Sequence, residues 1–283
     1  MPDQAGTLYV VATPIGNLED LSPRAQRLLA EVNWIAAEDT RHSRRLLEHF
    51  GISTPMTALH DHNEREVTAG LVERIAGGDN AALISDAGTP LISDPGYRLV
   101  GTAAQRGLAV VPVPGPSALL AALSVSGLAT DRFAFEGFPP RGRAARDAWL
   151  QALADDMRTL VFYESPHRVV ECLAAMRSAF GAGREAVVAR ELTKRYEEIR
   201  RGSLGELADA FARGDIRTQG EFVLVVAGAE IRERETPDLG VERLLAELLK
   251  ELPPRRAAAV AARLGFGKAN ELYRLATGLN GRG

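Results

Sequence analysis

Apolar residues along this chain keep two rhythms. Short continuous apolar runs alternate with longer stretches in which apolar positions recur at three- and four-residue intervals, the first reading as buried strand and the second as amphipathic helix. Strands are predicted at residues 8–12, 34–37, 56–59, 81–85 and 109–113. Helices are predicted between them. The first runs from Ser22-Pro23, a cap followed by a first-turn proline, to about Val32. Further helices span residues 40–50 with Gly51 as the stop, 65–76 ending at Gly77-Gly78, 97–105, and 117–126 with Pro116 in the first-position role. Strands that alternate with helices imply a mostly parallel sheet covered on both faces.

Around residues 127–131 the pattern resets. Strands are predicted at 133–138, 159–163, 186–190, 196–200 and 221–227, with helices at 144–154, 167–180 and 204–212. Adjacent strands in this half are free to pair antiparallel. The end of the chain is purely helical in pattern. Val241, Leu244, Leu245, Leu248 and Leu249 form one apolar stripe, Pro253-Pro254 interrupts it, residues 255–264 resume, and Gly265-Phe266-Gly267 turns into a last helix over 269–277. The predicted class is therefore α/β, with an N-terminal α/β domain over residues 1–127, a second α/β domain over 128–231, and a helical tail over 232–283 that has a helix-turn-helix look.

Composition narrows the classes. A chain of 283 residues is long enough for about two domains with their own cores. No apolar stretch approaches the roughly 20 residues that cross a bilayer, and Met1-Pro2-Asp3-Gln4-Ala5-Gly6 lacks the features of a signal peptide. No membrane association and a cytoplasmic location are expected. Cys172 is the single cysteine, which excludes an internal disulfide and a cysteine-based zinc site; among Val169, Val170, Leu173 and Met176 it reads as core. Of the five histidines only His60 and His62 are near neighbours, without a third ligand at metal spacing, so no metal is expected. The net charge of −3 hides an asymmetry, since residues 232–283 carry ten Lys and Arg against seven Asp and Glu. A mildly basic tail on an acidic body is compatible with nucleic acid.

Candidate chemistry sits at two glycine- and proline-bent turns that end apolar runs: Ser85-Asp86-Ala87-Gly88-Thr89-Pro90-Leu91-Ile92-Ser93-Asp94-Pro95-Gly96 and Val113-Pro114-Gly115-Pro116-Ser117-Ala118. Ligands of open α/β sheets bind outside the carboxyl ends of strands. The chain has no phosphate-binding Walker loop, no G-x-G-x-x-G after its first strand and no G-x-S-x-G elbow. Asp86 and Thr89 are suited to hydroxyls or an amine, Gly88 and Gly115 to close backbone approach, and Ser117 with its neighbouring amides to a carboxylate. A ligand with an amino-acid end, a ribose and a flat base suits this set.

Six segments, Thr13-Pro14-Ile15-Gly16-Asn17-Leu18, Ala37-Glu38-Asp39-Thr40-Arg41, Ser85-Asp86-Ala87-Gly88-Thr89-Pro90, Pro114-Gly115-Pro116-Ser117-Ala118, Phe162-Tyr163-Glu164-Ser165-Pro166-His167-Arg168 and Gly220-Glu221-Phe222-Val223, occur in one order. Together they resemble the tetrapyrrole-methylase-like (class III) methyltransferases, and among these the ribosomal RNA branch. The resemblance covers about residues 8–227, and the helical tail is similar to that branch's usual appendage. It implies two α/β domains with S-adenosylmethionine (SAM) in the cleft between them, a homodimer, and 2′-O-methylation of a cytidine in the decoding region of small-subunit (16S) rRNA. The implied partner is that rRNA or the assembled small ribosomal subunit.

Carried over residue by residue, the resemblance assigns cofactor binding to Pro14, Asp86, Ala87, Gly88, Thr89, Ile92, Ser117 and Ala118, joined from the second domain by Tyr163, Ala189 and Phe222. Asp39, Arg41 and Lys194 are the candidate catalytic residues, with helix capping as the alternative for Asp39. Arg41, Arg44 and Arg45, the loop residues Arg141, Arg143 and Arg146, and Arg255, Arg256, Arg263, Lys268 and Arg274 in the tail are candidates for RNA phosphates. Two other readings stand beside this one: a tetrapyrrole C-methyltransferase of the same superfamily, and a non-enzymatic ribosome-binding factor. The arginine-rich loop, the basic tail and residues 37–41 weigh against the first, and Gly88 and Gly115 against the second.

Overall fold

Two five-stranded sheets organise the computed structural model, which describes residues 5–230 and 240–280. Residues 1–229 make one compact unit and residues 230–283 a second. The first sheet is parallel throughout, in the order β3-β2-β4-β1-β5, from β1 (Thr7–Val11), β2 (Trp34–Ala37), β3 (Met56–Ala58), β4 (Ala81–Ile84) and β5 (Ala109–Val113). Its crossovers carry α1 (Pro23–Glu31), α2 (Thr40–His49), α3 (Glu64–Ala76) and α4 (Tyr97–Gln105).

The pleat sorts the strand residues between two cores. Val11, Ile35, Ala37, Ala82 and Ile84 pack with Leu28, Leu29 and Leu47 of α1 and α2. Leu8, Trp34, Ala36, Ala81 and Leu83 pack with Leu71, Val72 and Ile75 of α3 and Leu99 of α4. Burial on both faces is why these strands read as unbroken apolar runs. Parallel pairing also brings the carboxyl ends of all five strands to one edge, where their loops gather.

The second sheet is mixed, in the order β6-β7-β10-β8-β9, from β6 (Phe133–Gly137), β7 (Thr159–Glu164), β8 (Glu185–Arg190), β9 (Glu198–Ser203) and β10 (Phe222–Val226). β6 runs parallel to β7 and the remaining pairs are antiparallel. Leu160, Phe162, Val188 and Leu224 face the helices α6 (Arg143–Ala152), α7 (Val169–Phe180) and α8 (Leu204–Arg213), and Cys172 is buried among them. The opposite face, with Val161, Val187, Ala189, Val223 and Val225, is covered by Leu119, Ala122 and Leu123 of α5 (Ala118–Ser126). Thus α5 follows the last strand of the first sheet yet packs on the second.

Three predicted boundaries shift for local reasons. Pro116 is not the first residue of α5, because Ser117 takes the cap position in extended geometry and the helix starts at Ala118. The strand predicted over 196–200 begins two residues later: the Arg190 guanidinium donates to the Tyr196 carbonyl at 3.0 Å, and the preceding turn holds Glu191 and Thr193 at left-handed φ of 51° and 66°. The helix predicted from His167 starts at Val169, since the Ser165 carbonyl accepts from the amides of Arg168 and Val169 in a turn before it.

The C-terminal unit contains α9 (Val241–Leu249), α10 (Pro254–Arg263) and α11 (Ala269–Asn280), packed around Leu245, Ala257, Ala258, Ala261, Leu272 and Ala276. Gly265 and Gly267, at φ of 88° and 139°, make the turn between α10 and α11. Arg255, Arg256, Arg263, Lys268 and Arg274 are all exposed. Parts of the sequence reading that fall on residues 1–4, 231–239 and 281–283 lie outside the described residues.

Candidate functional site

Four loops at the carboxyl edge of the first sheet are stitched together by backbone. Thr13, after β1, exchanges two backbone hydrogen bonds with Gly88, after β4, at 2.9 and 3.0 Å. The Thr13 hydroxyl also donates to the carbonyl of Ser85. The Thr89 hydroxyl donates to the Pro116 carbonyl at 3.0 Å, which joins the β4 loop to the β5 loop. The Asp39 amide, after β2, donates to Oδ1 of Asp86 at 3.1 Å. Gly88 sits at φ 83°, a conformation in which a side chain is strained. Gly115 serves a different purpose from the expected one: a Cβ there would lie 3.0 Å from the Cβ of Ala12, so its smallness lets β5 close on the end of β1 rather than on a ligand.

These loops face the second sheet across a cleft of about 450 Å³. From the first half it is lined by Ile15, Glu38, Asp86, Ala87, Gly88, Thr89, Ile92, Ser93, Asp94, Ser117 and Ala118, and from the second by Phe138, Tyr163, Glu164, Ser165, Pro166, Glu221, Phe222 and Val223. The Tyr163 hydroxyl accepts the amide of Leu119 at 3.1 Å, tying β7 to the first turn of α5. Burial, and less strongly the Asp94 charge, push the Tyr163 phenol up from its ordinary range. Phe135 and Phe138 pack edge-on against the Tyr163 ring at centroid distances of 4.8 and 5.6 Å.

The wall on the first-sheet side is acidic. Burial pushes the Glu38 carboxyl up to about 7, aided by the charges of Asp94, Asp86, Asp61 and Asp39. Asp94 is pushed up to about 6, by burial and by Asp86 and Asp61, against the opposing effect of a Ser85 hydrogen bond. The β4 loop that shapes this wall carries two non-glycine residues at positive φ, Leu91 at 75° and Ser93 at 68°. Glu64 anchors that loop, accepting the amides of Gly96 and Arg98 at 3.1 and 2.7 Å.

Of the residues expected to hold the cofactor, Asp86, Ala87, Gly88, Thr89, Ile92, Ser117, Ala118, Tyr163 and Phe222 line this one cleft. Pro14 and Ala189 do not. Ala189 is fully buried in the sheet core with Leu119 and Val223, so it supports the cleft floor from behind. The expected catalytic residues are also off the wall. Asp39 is exposed and caps α2, accepting from the amides of Arg41 and His42, and those hydrogen bonds hold its carboxyl below the usual range. Arg41 is exposed in the first turn of α2. Lys194 is clamped between Glu191 and Glu221, each at 3.0 Å. Burial alone would lower the Lys194 ammonium, but the hydrogen bonds it donates to Glu221 and Glu191 raise it, which suits a fixed cation rather than a proton carrier. Arg146 is not an RNA-facing charge: it is 4% exposed and lies 3.6 Å from Glu171, whereas Arg141 and Arg143 are exposed.

Glu38, Asp94, Phe138, Glu164 and Glu221 also line the cleft, and the sequence assigns none of them a site role, although Glu38, Glu164 and Glu221 stand in the motif segments and Asp94 in the turn after β4. Glu38 directly follows β2 and precedes Asp39, the cap of α2. Phe138 was read as the last residue of a strand; β6 stops at Gly137, whose φ of 66° turns Phe138 out to 54% exposure. Among the described residues there is no group of three or more side chains able to hold a metal ion, and no helix is long and apolar enough to cross a membrane.

The donor set fits SAM. Ser117 makes no side-chain cap bond to α5, so the first-turn amides of that helix other than Leu119's, which Tyr163 holds, suit a carboxylate. Asp86 and Asp94 suit an ammonium or sulfonium, and Ile92, Tyr163 and Phe222 suit a flat base.

Comparison with known proteins agrees with this architecture. Residues 7–208 match the family model for tetrapyrrole (corrin/porphyrin) methylases, and residues 235–280 match that for the RsmI C-terminal HTH domain. Over 280 residues the chain is 55% identical to the ribosomal RNA small subunit methyltransferase I of Pseudomonas aeruginosa, covering 98% of this chain and 99% of the relative. It is 48% identical over 272 residues to the protein of that name from Escherichia coli O157:H7, covering 96% and 94%. Among solved structures, the uroporphyrin III C-methyltransferase of Thermus thermophilus superposes with a TM-score of 0.55 at 21% identity, over 78% of this chain and 97% of that one. A diphthine synthase superposes with a TM-score of 0.59 at 16% identity, over 78% and 90%; likenesses at these identities speak for the fold alone. The chain belongs to the tetrapyrrole methylase family and, within it, to the ribosomal RNA small subunit methyltransferase I family.

Proposed function

We propose that this protein is a SAM-dependent rRNA methyltransferase that modifies the 2′-hydroxyl of a cytidine in the decoding region of 16S rRNA, acting as a cytoplasmic homodimer on the rRNA or the small ribosomal subunit. The observation that carries the reading is the makeup of one cleft. A helix N-terminus, carboxylates and aromatic rings that together fit SAM open beside an exposed Phe138 and the cationic loop Arg141-Gly142-Arg143. Family membership supports it, since the P. aeruginosa relative bears the corresponding name.

Bound in the cleft, SAM supplies an electrophilic methyl group. The protein's own residues then do four things. Gly88 and Thr89 set the backbone of the cofactor loop, and the amides opening α5 take the carboxylate end. Tyr163 and Phe222 close the far wall and exclude water from a reaction that consumes charge. Phe138 offers a stacking face for the acceptor base, the usual way in which single-stranded RNA is held. Arg141 and Arg143, and the exposed cations of the C-terminal helices, are placed for phosphates, so affinity for RNA should fall with salt. In this reading Asp39, Arg41 and Lys194 act as positioning residues, Lys194 by holding Glu191 and Glu221 together.

The test is incubation of the protein with methyl-labelled SAM and small ribosomal subunits lacking the modification, followed by nuclease digestion and mass spectrometry of the labelled nucleoside. The expected product is 2′-O-methylcytidine at one site. Measurable SAM binding without label in rRNA would move the acceptor elsewhere, and neither binding nor label would refute the enzymatic reading.

A further inference from the structure

A hydroxyl acceptor needs a group to receive its proton, and the residues expected from sequence do not supply one. Asp39 spends its carboxylate on two amides of α2, and Lys194 is a clamped cation. Glu38 differs from both. It leaves the carboxyl end of β2, next to β4 in the sheet, and its side chain lines the cleft together with Asp86, Gly88 and Thr89 of the β4 loop. The hydrogen bond from the Asp39 amide to Asp86 fixes the two loops against each other, so the reach of Glu38 into the cleft is set by the fold. Among the described residues no hydrogen-bond donor and no cation pairs with the Glu38 carboxylate. A half-buried carboxylate that serves no capping or pairing role, aimed into a cleft that fits SAM, calls for a chemical use.

We propose that Glu38 is the general base of the methyl transfer. This rests on the reading of the protein as a hydroxyl methyltransferase. The acceptor hydroxyl oxygen forms a bond to the methyl carbon while the carbon–sulfur bond breaks and its electron pair stays on sulfur. The hydroxyl proton passes to the Glu38 carboxylate and then to solvent, and no further reactant is needed. A base whose ordinary value has been moved close to neutrality is matched to that task. The charges facing Glu38 are Asp86 and Asp94 from the β4 loop, Asp61 from the segment after β3, and its neighbour Asp39, all acidic. Their combined effect keeps the carboxyl basic, and the positive charge of a bound sulfonium works in the opposite direction.

The experiment compares parent, Glu38→Gln, Glu38→Asp and Asp39→Asn in single-turnover methylation of unmodified small subunits between pH 5.5 and 9, alongside SAM titration by calorimetry and thermal unfolding. For Glu38→Gln the expected result is transfer slowed by about 100-fold or more, with loss of the rising limb that the parent shows near neutrality. SAM affinity stays within about threefold, and stability at pH 8 is equal or higher because a repelling charge is gone. Glu38→Asp should restore part of the rate and the limb, and Asp39→Asn should keep the limb. An active parent with Glu38→Gln that retains the limb or transfers at the parental rate overturns the assignment while leaving the methyltransferase reading intact. A parent that binds SAM and labels no hydroxyl refutes that reading, and the role of Glu38 falls with it.

Discussion

Glu64 offers the sharpest test of how the cofactor loop is held. It is 7% exposed, starts α3, and sends Oε1 to two amides at the start of α4, Gly96 at 3.1 Å and Arg98 at 2.7 Å. The capping residue of α4 is a glycine with no side chain to offer, so Glu64 supplies the cap from a different helix. Hydrogen bonds to a charged group contribute about 1.5–3 kcal/mol each, and a carboxylate at a helix N-terminus adds about 0.3–1 kcal/mol. Part of this is offset by the cost of desolvating the carboxylate. Glu64→Ala is therefore expected to destabilise the protein by about 3 kcal/mol, because it strands two amides. Glu64→Gln keeps an acceptor without its charge and should cost about 1 kcal/mol. The protein has two tryptophans, Trp34 buried in the first sheet and Trp149 in α6 against the second. A Trp149→Phe background leaves Trp34 as the reporter, and urea unfolding followed by its fluorescence reads the core around the first sheet. A Glu64→Ala loss below about 0.5 kcal/mol, or equal losses in the two variants, would refute the capping argument.

Three further outcomes are expected. Gly88→Trp should abolish SAM binding by calorimetry while the protein still unfolds cooperatively, because a side chain at φ 83° meets Ile15 at 3.2 Å and fills the cleft; normal affinity would displace the cofactor from this loop. Phe138→Ala should raise KM for the small subunit by about tenfold, the worth of one stacked base, with SAM affinity unchanged; a loss confined to SAM affinity would instead assign the ring to the cofactor. Glu38 and Asp94 are held above their ordinary values, so the folded protein keeps protons that the unfolded chain releases. Their contribution to stability should fall as pH rises from about 4 to about 7 and then level off. Affinity for cationic SAM should rise near pH 6 as Asp94 ionises. Unfolding midpoints of the parent against Glu38→Gln/Asp94→Asn across this range check the sign.

Much of the fold was legible because burial on both faces writes strands as unbroken apolar runs, as at Trp34–Ala37 and Ala81–Ile84, and because caps such as Ser22 and Asp39 are local signals. The cofactor loop was legible for a similar reason, since Gly88 must be glycine at its φ. What escaped notice depends on contacts distant in sequence. Ala189 is set in the core by its pairing with Val223, Arg146 is buried by α7, and Lys194 is fixed by Glu221, 27 positions away in the numbering and on another strand's approach. Glu38 and Asp39 are adjacent and chemically alike, and only the start of α2 decides which carboxylate is spent on amides and which is left for the cleft.

The unusual backbone of this protein is not spread at random. Its four non-glycine residues at positive φ among the described residues are Leu91 and Ser93 after β4, and Glu191 and Thr193 after β8. Each such residue costs about 1–3 kcal/mol and persists only where its surroundings over-determine it. In both loops the surroundings are carboxylates accepting backbone amides. Glu64 takes Gly96 and Arg98 beside the first, while Glu191 takes Glu221 at 2.9 Å and Glu197 takes Thr193 at 2.6 Å in the second. Gly220, at φ 98°, is pressed against the Glu191 side chain so closely that a Cβ there would come within 2.5 Å of it. One loop belongs to each sheet: the first itself contains the cleft residues Ile92 to Asp94, and the second, through Glu191, holds Gly220 and Glu221 at the start of the cleft segment Glu221–Val223. The two halves meet over a packed seam: Ile15 with Leu119, Ala122 and Leu123 of α5 lies on the second sheet, Arg201 donates to the Val125 and Ser126 carbonyls, and Tyr163 accepts the Leu119 amide. Braced loops on either side of a packed seam hold both walls of the cleft in register. A reaction that aligns an oxygen, a methyl carbon and a sulfur gains most from walls that do not yield.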